Sequence, residues 1–230
     1  MKNYLIIGAS RGIGAALQQS LAPAAELWNA SREPVQEGVA GAIEWDATAD
    51  EFPADALPAA LDGLVYCPGS IRLQPFSRLT DQAFTDDFEL NVLGAVRAIR
   101  AALPALKAAP HASIVLYSTV AVTTGMPMHA SIAAAKGAVE GLTRSLAAEF
   151  APGIRVNAIA PSLTDTPLAS GLLKTERQRE AAAGRHPLGR VGRAEDLAAA
   201  TRFLLSDESA WMTGQVIAVD GGLGALRRFG

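Results

Sequence analysis

At 230 residues the chain is long enough to bury one sizeable hydrophobic core, and this length suits an α/β protein that forms a single domain over residues 1–230. Half of the residues are hydrophobic and the formal net charge is −3, which gives no electrostatic reason to bind nucleic acid or an anionic membrane. We therefore expect small molecules and copies of the chain itself as partners.

The chain has a single cysteine, Cys67, so no intramolecular disulfide can form, and no group of residues has the spacing of zinc ligands. No basic leader precedes the first apolar run, and no later apolar run approaches the roughly 18 residues that cross a bilayer. These features favour a protein of the reducing cytoplasm that is neither exported nor inserted in a membrane.

Short apolar segments alternate with helical patterns along the whole chain. Strands are predicted over residues 4–7, 26–30, 42–45, 63–67, 113–119, 154–161 and 215–222, and helices over 11–22, 79–108, 132–150 and 193–206. Because these strands are apolar throughout, they predict a doubly wound α/β fold, a mostly parallel sheet with helices on both faces. Only eleven residues, including proline and glycine, separate the second strand from the third. The crossover helix there is predicted to be shortened or missing.

The first turn of the chain reads GASRGIG, residues 8–14. Its glycines let the backbone bend tightly and approach a pyrophosphate, while the amides that open the next helix supply donors and a positive dipole end. The alternative is an ordinary strand-to-helix turn without a ligand. The predicted nucleotide contacts in this turn are Gly8, Ser10, Gly12, Ile13 and Gly14.

This turn and four later motifs together resemble the short-chain dehydrogenase/reductase family over nearly the whole chain. The later motifs are NVLG at 91–94, the helix around Lys136, RVNAIAPSLTDT at 155–166 and VDGG at 219–222. The resemblance implies a seven-stranded Rossmann sheet, a nicotinamide dinucleotide and a catalytic site of asparagine, serine, tyrosine and lysine. It also implies a homodimer or homotetramer, formed through the last strand and its tail.

Only two of the four catalytic positions keep the family residue. Asn91 matches the asparagine that holds a water-linked proton relay, and Lys136 matches the lysine that binds the nicotinamide ribose and lowers the pKa of the tyrosine. Thr119 stands where the family has serine, and it keeps a hydroxyl that can polarise a carbonyl. The tyrosine position is Ile132, which has no proton to give to an alkoxide.

A substitute proton donor is therefore sought near Ile132. His129 lies just before the helix and its imidazole suits proton transfer, although a loop histidine is more often only solvated. Tyr117 lies two positions before Thr119 on the same predicted strand, hence on the same face, but packing under the helices is the favoured interpretation of its side chain. Ser131 and Thr119 carry hydroxyls that would need activation by Lys136.

Two arginines predict the choice of cofactor. Arg11 at a helix N-terminus is opposed by the helix dipole and needs an anion nearby, and Arg32 follows the second strand where an NAD-selective protein usually has an acid. With Ser31 they form a cradle for a 2′-phosphate, which favours NADP(H), with NAD(H) possible. The alternative is that both arginines are solvated surface residues.

The family resemblance implies further contacts to the cofactor. Asp46 matches the acid that touches the adenine, although it could also cap a helix. Gly69 is the one residue retained from the family's Asn-Asn-Ala-Gly run, while Cys67 reads as a buried small hydrophobe. At the nicotinamide the implied residues are Pro161, Leu163 and Thr166.

Residues 162–190 match the segment that closes over the substrate in the family. Its polar, arginine-rich middle indicates either an anionic substrate or a solvated helix, and His186 is expected in a loop. Three functions remain open: an NADP(H)-dependent oxidoreductase acting on an alcohol or carbonyl, a non-catalytic NADP(H)-binding sensor or partner subunit, and a non-redox enzyme on the same scaffold.

Overall fold

The computed structural model describes residues 1–48 and 51–226. Its main sheet has seven strands in the order β3-β2-β1-β4-β5-β6-β9, and every neighbouring pair is parallel. This confirms the doubly wound α/β prediction. The strands are β1 Lys2–Ile7, β2 Ala25–Ser31, β3 Gly41–Glu44, β4 Gly63–Tyr66, β5 Ala112–Tyr117, β6 Ile154–Pro161 and β9 Val216–Val219; β7 Thr164–Asp165 pairs separately with β8 Gly192–Arg193.

The helices cover both faces of the sheet, because successive strand residues point to opposite sides. In β1, Leu5 and Ile7 belong to one core cluster with α3 and α5, whereas Tyr4 and Ile6 belong to the other with α1 and α7. The helices are α1 Gly12–Leu21, α2 Asp81–Phe88, α3 Gly94–Ala108, the single turn α4 Ala121–Thr124, α5 Ala130–Phe150, α6 Glu176–Arg185 and α7 Ala194–Leu205; short 3₁₀ turns cover Ala54–Ala56, Phe76–Arg78, Pro167–Leu172 and Asp207–Ser209.

The structure tests three of the predictions about helices and strands. The chain passes from β2 to β3 without a helix, as predicted. The helical stretch predicted over 79–108 is not one regular helix, because a π-helix at Glu89–Leu93 separates α2 from α3. The last strand ends at Val219, and the following glycines form turns with positive φ instead of continuing the strand.

The carboxyl ends of the parallel strands meet at one edge of the sheet, which is where ligands bind in open α/β folds. The turn after β1, the residues after β4 and β5, and the segment from Pro161 to Arg193 all lie at this edge. None of the helices in the part of the chain that the structure describes combines the length and hydropathy needed to cross a bilayer.

Candidate active site

The β1–α1 turn is shaped by close backbone packing. Gly8 and Gly12 have φ of +83° and +59°, a region that side chains other than glycine rarely adopt. A Cβ on Gly14 would overlap the carbonyl oxygen of Gly8, so only glycine lets α1 begin this close to β1. The turn therefore exposes the first amides of α1 to the cleft beside it.

A cleft of about 910 Å³ runs from this turn along the sheet edge. Most of the predicted cofactor residues line it: Gly8, Ser10, Arg11, Gly12, Ile13, Gly14, Ser31, Arg32, Asp46, Gly69 and Thr166. Four predicted residues, Asn91, Lys136, Pro161 and Leu163, are not part of its wall, and the first two lie deeper behind Gly69. Sequence reasoning missed other wall residues, among them Glu33, Trp45, Thr48 and Leu168.

The outer end of the cleft carries charge. Arg11 and Arg32 are exposed there, and the hydroxyl of Ser31 is buried with no hydrogen-bond partner among the described residues. Asp46 does not cap a helix; its carboxylate accepts the backbone N–H of Thr48 at 2.9 Å and the hydroxyl of Thr48 at 2.8 Å. These two bonds, helped by the charge of Arg32, lower the pKa of Asp46.

Asn91 and Lys136 meet beside Gly69, which is part of the wall of the cleft. A Cβ on Gly69 would lie 3.3 Å from Asn91 Oδ1 and 3.5 Å from Lys136 Nζ, so both polar atoms face the same small space. Lys136 is 7% exposed, and its ammonium donates to the carbonyl oxygen of Tyr117 at 2.8 Å. Burial lowers the pKa of Lys136 to about 8, while electrostatic interactions with Cys67 and Asp87 oppose this effect.

Asn91 is fixed by polar neighbours that the sequence analysis did not identify. Its Nδ2 donates to the carbonyl oxygen of Asp87 at 2.7 Å and to Ser70 Oγ at 3.1 Å. Asn91 Oδ1 is buried and has no hydrogen-bond partner among the residues that the structure describes. Because Asn91 lies in the π-helix, its local backbone departs from the regular α-helix of α2.

Thr119 lies two residues beyond the end of β5, opposite Pro161 of β6, whose carbonyl oxygen accepts the N–H of Val120 at 3.1 Å. The hydroxyl oxygen of Thr119 accepts the backbone N–H of Ala121 at 3.3 Å. Its hydroxyl proton is therefore left to donate to another acceptor. Ser118 faces elsewhere and donates to the buried carboxylate of Glu140 at 2.7 Å.

Ile132 is 5% exposed and lies one helical turn before Lys136 on α5. The side chains weighed as substitutes for a tyrosine there are not equivalent. His129 has a ring nitrogen 2.8 Å from the carbonyl oxygen of Pro127 and does not line the cleft. Ser131 is 1% exposed, and its hydroxyl has no hydrogen-bond partner in the described part of the chain.

The prediction that Tyr117 shares a strand face with Thr119 is wrong. The strand ends at Tyr117, whose side chain packs in the core cluster of α1 and α7. Its hydroxyl pairs with Thr201 Oγ1 at 2.6 Å, and burial raises the pKa of Tyr117 well above its usual value. Only the backbone carbonyl of Tyr117 reaches the site, where it holds Lys136.

The segment over residues 162–190 contains β7, a 3₁₀ turn and α6, which begins at a capping box on Thr175. His186, expected in a loop, is the buried C-terminal cap residue of α6 and is 2% exposed. Its two ring nitrogens lie 2.8 Å from Ala182 O and 2.9 Å from Ser162 Oγ, which ties α6 to the end of β6. The carbonyl oxygen of Leu163 accepts the N–H of Gly192 at 3.0 Å.

The sequence is similar to those of known proteins over most of its length. The family model described as enoyl-(acyl carrier protein) reductase matches residues 8–224. A tropinone reductase homologue of Arabidopsis thaliana is 40% identical over 164 residues, which cover 71% of this chain and 63% of the plant protein. The inactive 2-(S)-hydroxypropyl-CoM dehydrogenase 2 of Xanthobacter autotrophicus is 36% identical over 206 residues, 81% of this chain and 87% of that protein.

Two solved structures share the fold over almost the whole chain. A short-chain type dehydrogenase/reductase from Mycobacterium ulcerans superposes with a TM-score of 0.90 at 31% identity, covering 98% of this chain and 90% of that one. A putative 2-deoxy-D-gluconate 3-dehydrogenase from Agrobacterium tumefaciens, solved with bound NADP, gives a TM-score of 0.89 at 30% identity, covering 98% and 97%.

Proposed function

Because the chain belongs to the short-chain dehydrogenase/reductase family, we propose that it is an NADP(H)-dependent oxidoreductase that interconverts an alcohol and a carbonyl compound without the family's proton-donating tyrosine. The observation that carries the proposal is the meeting of Lys136 Nζ and Asn91 Oδ1 beside Gly69, a wall residue of the cleft that begins with the glycine turn. A homo-oligomer is the assembly we expect.

The residues of the cleft fit a nicotinamide dinucleotide. The close approach of Gly14 to Gly8 frees the first amides of α1 for a pyrophosphate, and the unpartnered hydroxyl of Ser31 lies beside Arg32 at the adenosine end. At the other end, the buried ammonium of Lys136 would hold the nicotinamide ribose. The nicotinamide itself would contact Pro161, at the end of β6, and Leu163 and Thr166, which come after it.

A bound nicotinamide would supply or accept the hydride, and the protein must then handle one proton. The hydroxyl of Thr119, whose oxygen is already used by the N–H of Ala121, would donate to the carbonyl oxygen of the substrate. The ammonium of Lys136 would provide a proton near the substrate oxygen, and Asn91 would orient this ammonium. Ile132 supplies none, so the step depends on the other groups of the site.

Turnover of NADPH with a panel of aldehydes and ketones tests this proposal. We expect slow consumption with at least one substrate, and a loss of about tenfold or more in Thr119→Ala because the polarising donor is removed. Thr119→Ser keeps the hydroxyl and should keep the rate. Equal rates for Thr119→Ala and the unmodified protein would contradict the role given to Thr119.

The arginines at the outer end should set the choice between the two cofactors. Arg32→Glu is expected to lower the ratio of NADPH to NADH affinity by about 10- to 100-fold, the size of one charge-assisted hydrogen bond. Fluorescence titration of both cofactors measures the ratio, and Arg202→Glu, the same change at an exposed position of α7, is the control. Tighter binding of NADH than NADPH by the unmodified protein would end the preference proposed here.

A second candidate function is a non-catalytic NADP(H)-binding protein. Ile132 favours it, since a buried aliphatic side chain stands where the proton donor of the family would be. A relative at 36% identity carries the name of an inactive dehydrogenase. Binding of NADPH without turnover on any carbonyl, and without change in Thr119→Ala, would favour this candidate over the enzyme.

A further inference from the structure

A buried acid lies beside the proposed site. Asp87, on the last turn of α2, is 1% exposed, which is rare for a carboxylate unless other groups compensate its charge. Ser70 Oγ donates to Asp87 Oδ1 at 2.7 Å, and the guanidinium Nε of Arg72 lies 3.4 Å from Oδ2. Oδ2 itself has no hydrogen-bond partner within residues 1–48 and 51–226. The burial of this carboxylate therefore destabilises the fold, which points to a role for Asp87 at the site.

Asp87 and Ser70 together determine which way the side chain of Asn91 faces. A backbone carbonyl can only accept, so the atom of Asn91 that lies 2.7 Å from Asp87 O must be the amide nitrogen. Ser70 gives its proton to Asp87 Oδ1, and its oxygen is then free to accept the second N–H of Asn91. With both N–H groups used, Asn91 Oδ1 must face the space at Gly69 and Lys136.

Asp87 also sets the charge around Lys136. The carbonyl of Tyr117 at the end of β5 accepts from the ammonium, and Asn91 Oδ1 lies near it beside Gly69. The thiol of Cys67 after β4 and the Asp87 carboxylate act on it electrostatically. Burial raises the pKa of Cys67 to about 12, so this thiol is neutral near pH 7. One turn along α5, the charge of Glu140 is engaged by Ser118 and lies 3.9 Å from Arg144. Asp87 is thus the negative charge that opposes the burial of the ammonium.

We propose that Ser70 and Asp87 are positioning residues of the oxidoreductase site, which lock the Asn91 amide and hold Lys136 in its charged form. This rests on the proposed function, because it concerns the same lysine and asparagine. In a site without the tyrosine, the charged lysine is the nearest source of a proton, so its charge state decides the rate. Neither residue was identified by the sequence patterns.

The charge effect is tested in the free protein by NMR titration of the Lys136 side chain with ¹³C-labelled lysine. Asp87→Asn removes the negative charge, so Lys136 should lose its proton at a lower pH, with the midpoint displaced by about one pH unit. Asp86→Asn, which changes the exposed neighbouring acid, is the matched control and should leave the midpoint unchanged. Equal midpoints in Asp87→Asn and Asp86→Asn would overturn the proposal.

The orientation effect is tested by Ser70→Ala, which keeps the charge of Asp87. It should lower kcat by about tenfold, less than the roughly 10²-fold contributed by a general acid itself because Ser70 acts only through Asn91, and it should leave the Kd for NADPH within about twofold. Ser70→Thr restores a hydroxyl and should recover most of kcat. Unchanged kcat in Ser70→Ala would overturn the positioning role, and this variant decides the question if Asp87→Asn does not fold. Failure of the unmodified protein to bind NADPH would overturn the proposed function instead, while the Lys136 midpoints would still report on Asp87.

Discussion

Replacing Ile132 with tyrosine is expected to raise the rate of carbonyl reduction by about 10²- to 10⁴-fold, the usual contribution of a positioned general acid. Ile132 lies one turn before Lys136 on the same face of α5, so a phenol placed there would stand within the field of the buried ammonium. That positive charge stabilises the phenolate and would lower the pKa of the new tyrosine. The measurement is NADPH consumption with the carbonyl panel.

Ile132→Phe is the control that distinguishes the effect of the phenol proton from the effect of the aromatic ring. It introduces the same aromatic bulk without the hydroxyl, so it should show no gain in rate. Both variants should retain NADPH binding, which a fluorescence titration can verify. If Ile132→Tyr binds NADPH and still shows no gain with any carbonyl, the substrate side of the site does not support carbonyl reduction. The non-catalytic or non-redox function is then favoured.

Lys136→Met is expected to weaken NADPH binding by about 10- to 100-fold, the size of a hydrogen bond from a charged group, and to abolish turnover. Burial lowers the pKa of Lys136 because the interior opposes its charge, so methionine of similar length should leave the melting temperature unchanged or raise it. Isothermal calorimetry and thermal unfolding measure the two effects separately. The control is Lys107→Met, an exposed lysine on α3.

A fall in both binding and melting temperature in Lys136→Met would mean that this lysine supports the fold rather than the ligand. The pH dependence provides a second check. Because the pKa of Lys136 is lowered to about 8, NADPH affinity of the unmodified protein should decline as the pH rises through that value, where the ammonium loses its proton. The variant lacks this group and should show no such decline.

The sheet could be predicted from the sequence because its strands are apolar on both faces. Leu5 and Ile7 pack on one side while Tyr4 and Ile6 pack on the other, so neither side leaves a polar pattern. The missing crossover between β2 and β3 was predicted for the same local reason, since a short segment with proline and glycine cannot hold a helix.

The polar support of the site could not be predicted. Asp86 and Asp87 are adjacent acids in an amphipathic segment, and no local rule indicates that the first is exposed and the second buried. Asp87 is buried because two features place it beside Asn91. These are the π-helix that follows α2 and the position of Ser70 in the segment after β4. The predicted shared face of Tyr117 and Thr119 failed because the strand ends at Tyr117, so strand alternation does not extend to Thr119.

The most direct test of the cleft as a dinucleotide site is a crystal structure of the protein soaked in NADPH. We expect the pyrophosphate against the amides that follow Gly12, the 2′-phosphate near Arg32, and Lys136 Nζ within hydrogen-bond distance of the nicotinamide ribose. A cleft that stays empty at saturating NADPH, or that holds the nucleotide away from both the glycine turn and Lys136, would contradict this assignment.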